Sequence, residues 1–231
     1  MRLNARINRR LPWRVEGKCR LPCFFTGIFR CPTPHNNVFA VTPVDEETVQ
    51  LHNTLMRGAA DILLPYLSVA ERKEKDATAP EDRAAVQRGI EMLERVLQIN
   101  PQNWSASWFL GMAFNVLVRL DDAYQAFARA YSLHQDNPDV GRQLVLACLS
   151  LGKATEALNV SSQLLARWPD DSGFLANHAL ACLINNRVSD AVAAITRSLE
   201  LNPDDPISRN VQKVILECQT GRRSPPSQFH Q

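Results

Sequence analysis

Four residues near the N-terminus are of the types that bind zinc, namely Cys19, Cys23, Cys31 and His35. Thiolates and imidazoles hold zinc in tetrahedral sets of four, and two ligand pairs let two short turns grip one ion. Structural fingers usually place a longer segment between the pairs. The seven residues between Cys23 and Cys31 leave little room for a strand or a helix. We therefore expect incidental cysteines here and no metal site.

The remaining candidates for chemistry do not form a catalytic set. No glycine-rich phosphate loop, nucleophile elbow or His-Glu metal motif occurs in the chain. No two histidines share a helical face at close spacing, and His178 falls on an inward helical position that favours a core histidine. We expect no catalytic residue and no cofactor. The five histidines are His35, His52, His134, His178 and His230.

Two series of residues, here called ladders, each repeat every 34 residues. The helices that carry them must account for this period. Prolines end apolar helical patterns, and small alanines recur in phase with them; only Gln135 interrupts the proline ladder. Two independent ladders of one period indicate an internal repeat, and a period of this length predicts a solenoid. The ladders are Pro101, Pro169 and Pro203, and Ala123, Ala157 and Ala191.

Apolar periodicity, N-cap residues and breakers predict an all-α chain of paired helices. Because Gln135 replaces a proline, we expect the helix before it to run on, or its turn to be looser. The expected helices are 46–65, 80–99, 104–118, 121–134, 138–151, 154–167, 172–185, 189–201 and 206–219. The expected organisation is an extension at 1–42, a leading pair with a charged insertion at 43–103, units at 104–137, 138–171 and 172–205, a capping helix at 206–221 and a frayed tail at 222–231.

The repeat resembles the tetratricopeptide repeat, a helix–turn–helix unit of 34 residues, over about residues 84–219. The resemblance implies a right-handed α-α superhelix. In each unit, small residues let the second helix, helix B, approach the first, helix A. Val145 stands where the other units have Gly111 and Ala179, which predicts looser packing in the second unit. The matching residues are Leu110, Gly111, Phe114, Ala123, Phe127 and Ala130 in the first unit, Leu144, Gly152, Ala157 and Pro169 in the second, and Ala179, Ala191 and Pro203 in the third.

The resemblance also implies a concave groove, lined by the A helices, that holds a segment of another protein without catalysis. The leucines among its residues could equally be core. Arg142 is the groove's only cation and could pair one acid of a mostly apolar partner, while Trp108 could anchor that partner or pack between units. Homo-oligomerisation stays open. The groove register gives Trp108, Met112, Asn115, Arg142, Leu146, Ala176, Asn177 and Leu180, with Leu149 and Leu183 on the same faces.

Charge separates the first residues from the rest of the chain. Residues 1–42 carry eight Lys or Arg and one acid, a net charge of +7, which leaves −5 of the total of +2 to the other residues. We expect a disordered basic extension; a transit peptide, or an arm for nucleic acid or an anionic membrane, is the alternative. No apolar run is long enough for a transmembrane helix. Cysteines on apolar helical stripes favour a reducing compartment, the cytoplasm, unless the arginines target an organelle.

Overall fold

The computed structural model describes residues 45–67, 77 and 79–229. These residues form an all-helical solenoid in which each helix packs against the next along the chain. A short 3-10 turn, Leu64–Tyr66, follows the first helix. The helices are α1 (Glu46–Leu63), α2 (Pro80–Ile99), α3 (Trp104–Val116), α4 (Leu120–Leu133), α5 (Pro138–Ser150), α6 (Ala154–Arg167), α7 (Ser172–Ile184), α8 (Val188–Leu201) and α9 (Pro206–Gln219).

The first helix of each pair begins at a side-chain cap. An Asn or Asp side chain accepts a hydrogen bond from one of the first amides of α3, α5, α7 and α9, and Asp45 does the same for α1. These caps satisfy amides that have no partner within the helix. The predicted helix bounds agree with the structure to within about two residues. The four repeat caps are Asn103, Asn137, Asp171 and Asp205.

The expectation that the helix before Gln135 runs on is wrong. Helix α4 has 14 residues, the same as α6 and α8, and ends in the same register. The other expected outcome, a looser turn, is confirmed: this turn lacks the backbone hydrogen bond between its last and first residues that the turns at 100–103, 168–171 and 202–205 all have. Arg167 donates hydrogen bonds to the Gln135 carbonyl at 2.6 Å and to Asp136 at 2.9 Å. An arginine from the next unit therefore anchors the turn that lacks proline.

The turn after each A helix has one recurrent geometry. Val118, Gly152 and Asn186 all have left-handed backbones, with φ of 60°, 68° and 60°. In each case the next amide donates to a carbonyl five residues back at 2.9 Å, the bond pattern that closes a helix through a left-handed residue. Glycine and asparagine adopt this conformation readily, whereas a β-branched residue does not. Val118 is therefore strained.

The alanine ladder lies at the centre of each helix pair. Ala123, Ala157 and Ala191 are fully buried. Close approach is confirmed at Gly111, where an added Cβ would lie 2.5 Å from the Phe127 ring. Small residues thus set how closely helix B approaches helix A.

The second unit is more loosely packed, as Val145 predicts: the backbones of α5 and α6 approach each other less closely than those of α3 and α4 or of α7 and α8, although the helices are equally long. Val145 is fully buried, and the residue at the Phe127 position of this unit is the small Ser161. One turn away, Gly141 faces Leu164, and a Cβ on Gly141 would lie 2.5 Å from the leucine. The looser packing predicted from Val145 is thus confirmed, while Gly141 stays a point of close approach within this pair.

Candidate functional site

The predicted groove residues lie on α3, α5 and α7. Trp108, Arg142 and Ala176 occupy one repeated position, 34 residues apart. Helix α7 contacts both α5 and α9, so the A helices lie side by side. The sequence register therefore places these side chains along one row of helices.

Most of the apolar groove candidates are buried within the chain. Fewer than a tenth of their surfaces is exposed, so they contribute to the core in this structure. The leucines could belong to the core or to the groove, and the structure favours the core. Asn177 is buried with them, while Asn115 is half-buried in the last turn of α3. The buried residues are Met112, Leu146, Leu149, Ala176, Leu180 and Leu183.

Trp108 is half-buried and holds an unsatisfied donor. Its ring meets the edge of Phe109, with centroids 5.2 Å apart at 78°. The indole Nε1 is buried and has no hydrogen-bond partner among the described residues. A buried N–H without an acceptor costs roughly 1–3 kcal/mol. Trp104, in contrast, stacks on His134 with centroids 4.6 Å apart, and thus packs within its own unit.

Arg142 is held by its own chain. Its guanidinium lies 4.5 Å from the centroid of the Phe174 ring, and one terminal nitrogen lies 3.4 Å from Asp171. The Nε atom lies 3.9 Å from Asp139, too far for a hydrogen bond, and it is buried without a partner in the described part of the chain. Two carboxylates therefore already face this cation.

This arrangement changes the expected electrostatics of the groove. Burial raises the pKa of Asp139, the positive charge of Arg142 lowers it, and the Asp171 carboxylate raises it. One cation and two carboxylates give a local formal charge of −1. A further carboxylate would be repelled here, so the expectation that Arg142 pairs an acid of a partner loses its support. A neutral acceptor, such as a main-chain carbonyl, fits the free Nε hydrogen.

A second polar cluster lies between α6 and α7. The His178 ring bonds the Ser161 hydroxyl at 2.8 Å and contacts the Cys182 sulfur at 3.5 Å. Burial raises the pKa of the Cys182 thiol to about 11 and lowers the pKa of His178. The thiol therefore stays protonated at neutral pH and is not a nucleophile. His178 is satisfied within the fold, as expected; its partners were missed, although the spacing of four residues to Cys182 was visible on the helix.

Several predictions lie outside the described residues. They include the zinc candidates Cys19, Cys23, Cys31 and His35, the basic extension, and most of the charged insertion between the two helices of the leading pair. Within the described ranges, no cluster of three or more metal-binding side chains occurs. In the same ranges, no helix is both long and apolar enough to cross a membrane.

Comparison with known proteins agrees with the periodicity. A family model described as "Tetratricopeptide repeat" matches residues 82–138 and 143–206, which is more than half of the chain. No curated protein shows a significant match. Among solved structures, a tetratricopeptide repeat protein from Parabacteroides merdae is similar, with a TM-score of 0.59 and 20% identity over 75% of this chain. The chain spans 61% of that protein's length.

Two further structures have the same fold. YrrB matches with a TM-score of 0.53 and 14% identity, over 62% of this chain and 74% of its own. MamA from MSR-1 matches with a TM-score of 0.55 and 16% identity, over 77% of this chain and 88% of its own. At these identities, the likeness concerns the fold alone.

Proposed function

The chain belongs to the tetratricopeptide repeat family, and on that premise we propose that it is a protein-interaction scaffold that binds a partner segment beside Trp108 and Arg142. Members of this family bind protein or peptide partners and are generally not catalysts. YrrB, one of the similar structures, is described as a tetratricopeptide repeat protein with an unusual peptide-binding site. The partner here is another protein or peptide, and no cofactor is required.

The observation that carries the proposal is the pair of unsatisfied donors. Trp108 Nε1 and Arg142 Nε are buried, have no acceptor in the described part of the chain, and occupy equivalent positions on adjacent A helices. Buried polar groups in folded proteins are nearly always hydrogen-bonded, so two orphaned donors in equivalent positions call for acceptors from outside. A bound segment supplies such acceptors through its main-chain carbonyls.

The charges around Arg142 determine which kind of partner segment can bind there. Asp139 and Asp171 already offset Arg142, so an acidic side chain gains nothing at this point. An apolar segment can bond both donors through its main-chain carbonyls and contact the Trp108 ring with its side chains. Tryptophan and arginine are also the residue types most enriched among the strongest contacts of interfaces.

A selection from a random peptide library against the full chain tests the proposal. Trp108→Phe keeps an aromatic ring but removes the indole N–H, and Arg142→Lys keeps the charge but removes Nε. We expect selected peptides to bind each variant about 10-fold more weakly, since one hydrogen bond contributes about 1 kcal/mol or somewhat more. Trp104→Phe is the matched control. Equal binding to all four proteins would refute the proposal.

The basic arm at 1–42 supports a different function, namely association with nucleic acid or an anionic membrane. Its support is the net charge of +7 in that segment. Such binding falls steeply with salt, because it depends on displaced counterions. Binding of a library peptide by Trp108 and Arg142 should change little between low and moderate salt, which separates the two candidates.

A further inference from the structure

The C-terminal segment returns to the repeats instead of leaving them, which contradicts the expectation of a frayed tail. The chain turns at Gly221, with φ of 70°, and the Arg223 amide donates to the Glu217 carbonyl at 3.1 Å. Pro225 and Pro226 are half-buried. The Phe229 ring is half-buried and packs against the core. We call residues 222–229 the tail.

The tail ends at the last turn of α5. The Phe229 amide donates to the Leu149 carbonyl at 2.9 Å. The same carbonyl accepts from the Gly152 amide at 3.3 Å in the turn that closes α5, and its second lone pair accepts the bond from Phe229. The Ser227 carbonyl passes Gly152 so closely that an added Cβ would lie 2.9 Å from it. We call the end of α5 with Gly152 the seat.

The tail is long enough to make this connection. Helix α7 lies between α5 and α9, so the tail crosses two helix spacings, about 16–20 Å in total. Eight extended residues span about 26 Å. The path is therefore extended, and two consecutive prolines favour an extended path, because their rings fix φ.

Gly152 has a second role at the seat. The equivalent left-handed residues in the neighbouring units are Val118 and Asn186, so the backbone alone does not require glycine. The contact with Ser227 does require it, because any side chain would occupy the space through which the tail passes. Two separate observations, a main-chain hydrogen bond and a close approach at glycine, thus mark one docking surface.

We propose that the seat is a docking surface for an extended, proline-containing segment that carries an aromatic residue, and that the tail fills it in cis. A partner segment of the same chemistry gains access when the tail leaves. Its prolines lower the entropy cost of an extended conformation, its aromatic ring supplies apolar contact, and its main chain bonds the Leu149 carbonyl. This surface is separate from the donors of Trp108 and Arg142, and the inference does not rest on them.

Amide hydrogen exchange of Phe229 in the full chain tests the seat. We expect protection in the wild type, loss of protection in Gly152→Asn, and retained protection in Gly221→Asn. Asparagine tolerates the left-handed backbone, as Asn186 does, so Gly152→Asn adds a side chain with little strain. Gly221 has φ of 70° and no atom near its missing Cβ, which makes it the matched control. Exchange of the wild-type Phe229 amide at the rate of a free peptide would overturn the proposal.

A trans-binding experiment tests the partner chemistry. The probe is a labelled peptide with the sequence of residues 222–229, added to the full chain. Because a tethered tail competes at an effective concentration near millimolar, Phe229→Ala should bind the peptide roughly tenfold or more tightly than the wild type. Phe229→Ala combined with Gly152→Asn should not bind it. Equal binding by these three proteins would overturn the proposal.

Two outcomes distinguish a tail bound in cis from a second copy in the seat, and the seat from the site at Trp108 and Arg142. Protection of Phe229 that rises with protein concentration would mean that a second copy fills the seat, which overturns the cis assignment. Trp108→Phe should leave both readouts unchanged. If binding of the library peptides does not depend on Trp108 and Arg142, the proposal for the seat still stands. If the tests of the seat fail, the proposed function still stands.

Discussion

Replacing Val118 with glycine should stabilise the protein. Val118 has φ of 60° and is 73% exposed, so its side chain contributes little packing while its backbone is strained. A left-handed conformation costs an L-residue roughly 1–2 kcal/mol, and β-branching puts valine at the upper end. Glycine avoids this cost but loses about 0.5–1 kcal/mol through its freer unfolded chain. The net expected gain is about 1–1.5 kcal/mol.

Urea unfolding measures this gain. We expect a higher midpoint with an unchanged slope, since the surface buried on folding stays the same. The midpoint of thermal unfolding should rise by roughly 2–6 °C for a chain of this size. The far-ultraviolet circular dichroism of the folded state should not change, because α3 keeps its closing hydrogen bonds.

Two variants at the same position separate strain from other effects. Val118→Ala removes the β-branch but keeps a left-handed Cβ, so it should recover only the part of the strain that branching adds. Val118→Asn should fall between alanine and glycine, because asparagine occupies the equivalent position at Asn186. A Val118→Gly protein that is less stable than the wild type by about 0.5 kcal/mol, as for glycine at an ordinary site, would refute the reasoning.

Three further predictions concern buried groups. Gly141→Ala should destabilise by about 1–3 kcal/mol through overpacking against Leu164, and Leu164→Val should recover part of the loss in a double-mutant cycle; additive effects would argue against the contact. Burial raises the pKa of Cys148 to about 12 and of Cys182 to about 11, so alkylation mapped by mass spectrometry at pH 8 should reach half-buried Cys218 before them. Because the folded values lie above the ordinary value of 9.0, these thiols should lower stability progressively as the pH rises from 9 towards 12, and a flat profile there would contradict the burial.

Helix positions were predictable because their signals are local. Caps such as Asn137 and Asp205, and the left-handed Gly152, act within one turn of the residue that carries them. A 34-residue repeat multiplies each signal, so one weak motif is supported by its equivalents. At Gln135 the sequence predicts a longer helix or a looser turn and does not decide between them, because Arg167, which bonds this turn, comes from the next unit.

Contacts between units were less predictable because no local pattern records them. The charge of Arg142 suggested a free cation, but its counterion Asp171 lies 29 residues away and also caps the next helix. The burial of Leu146 and Leu180 depends on neighbouring helices. The seat joins Gly152 to Ser227 of the tail, 75 residues later in the sequence and outside the repeat, and so has no periodic signal.

Helix α5 carries both proposed contacts, at opposite ends. Arg142 in its first half holds an unsatisfied donor, whereas the Leu149 carbonyl in its last turn accepts a bond from the tail. Seven residues separate them, which corresponds to about 10 Å along the helix axis. An extended segment covers that distance in about three residues. A short ligand at Arg142 can therefore bind beside the seated tail, whereas a longer ligand that runs along α5 must displace Phe229, so ligand length decides whether the two sites are independent or compete.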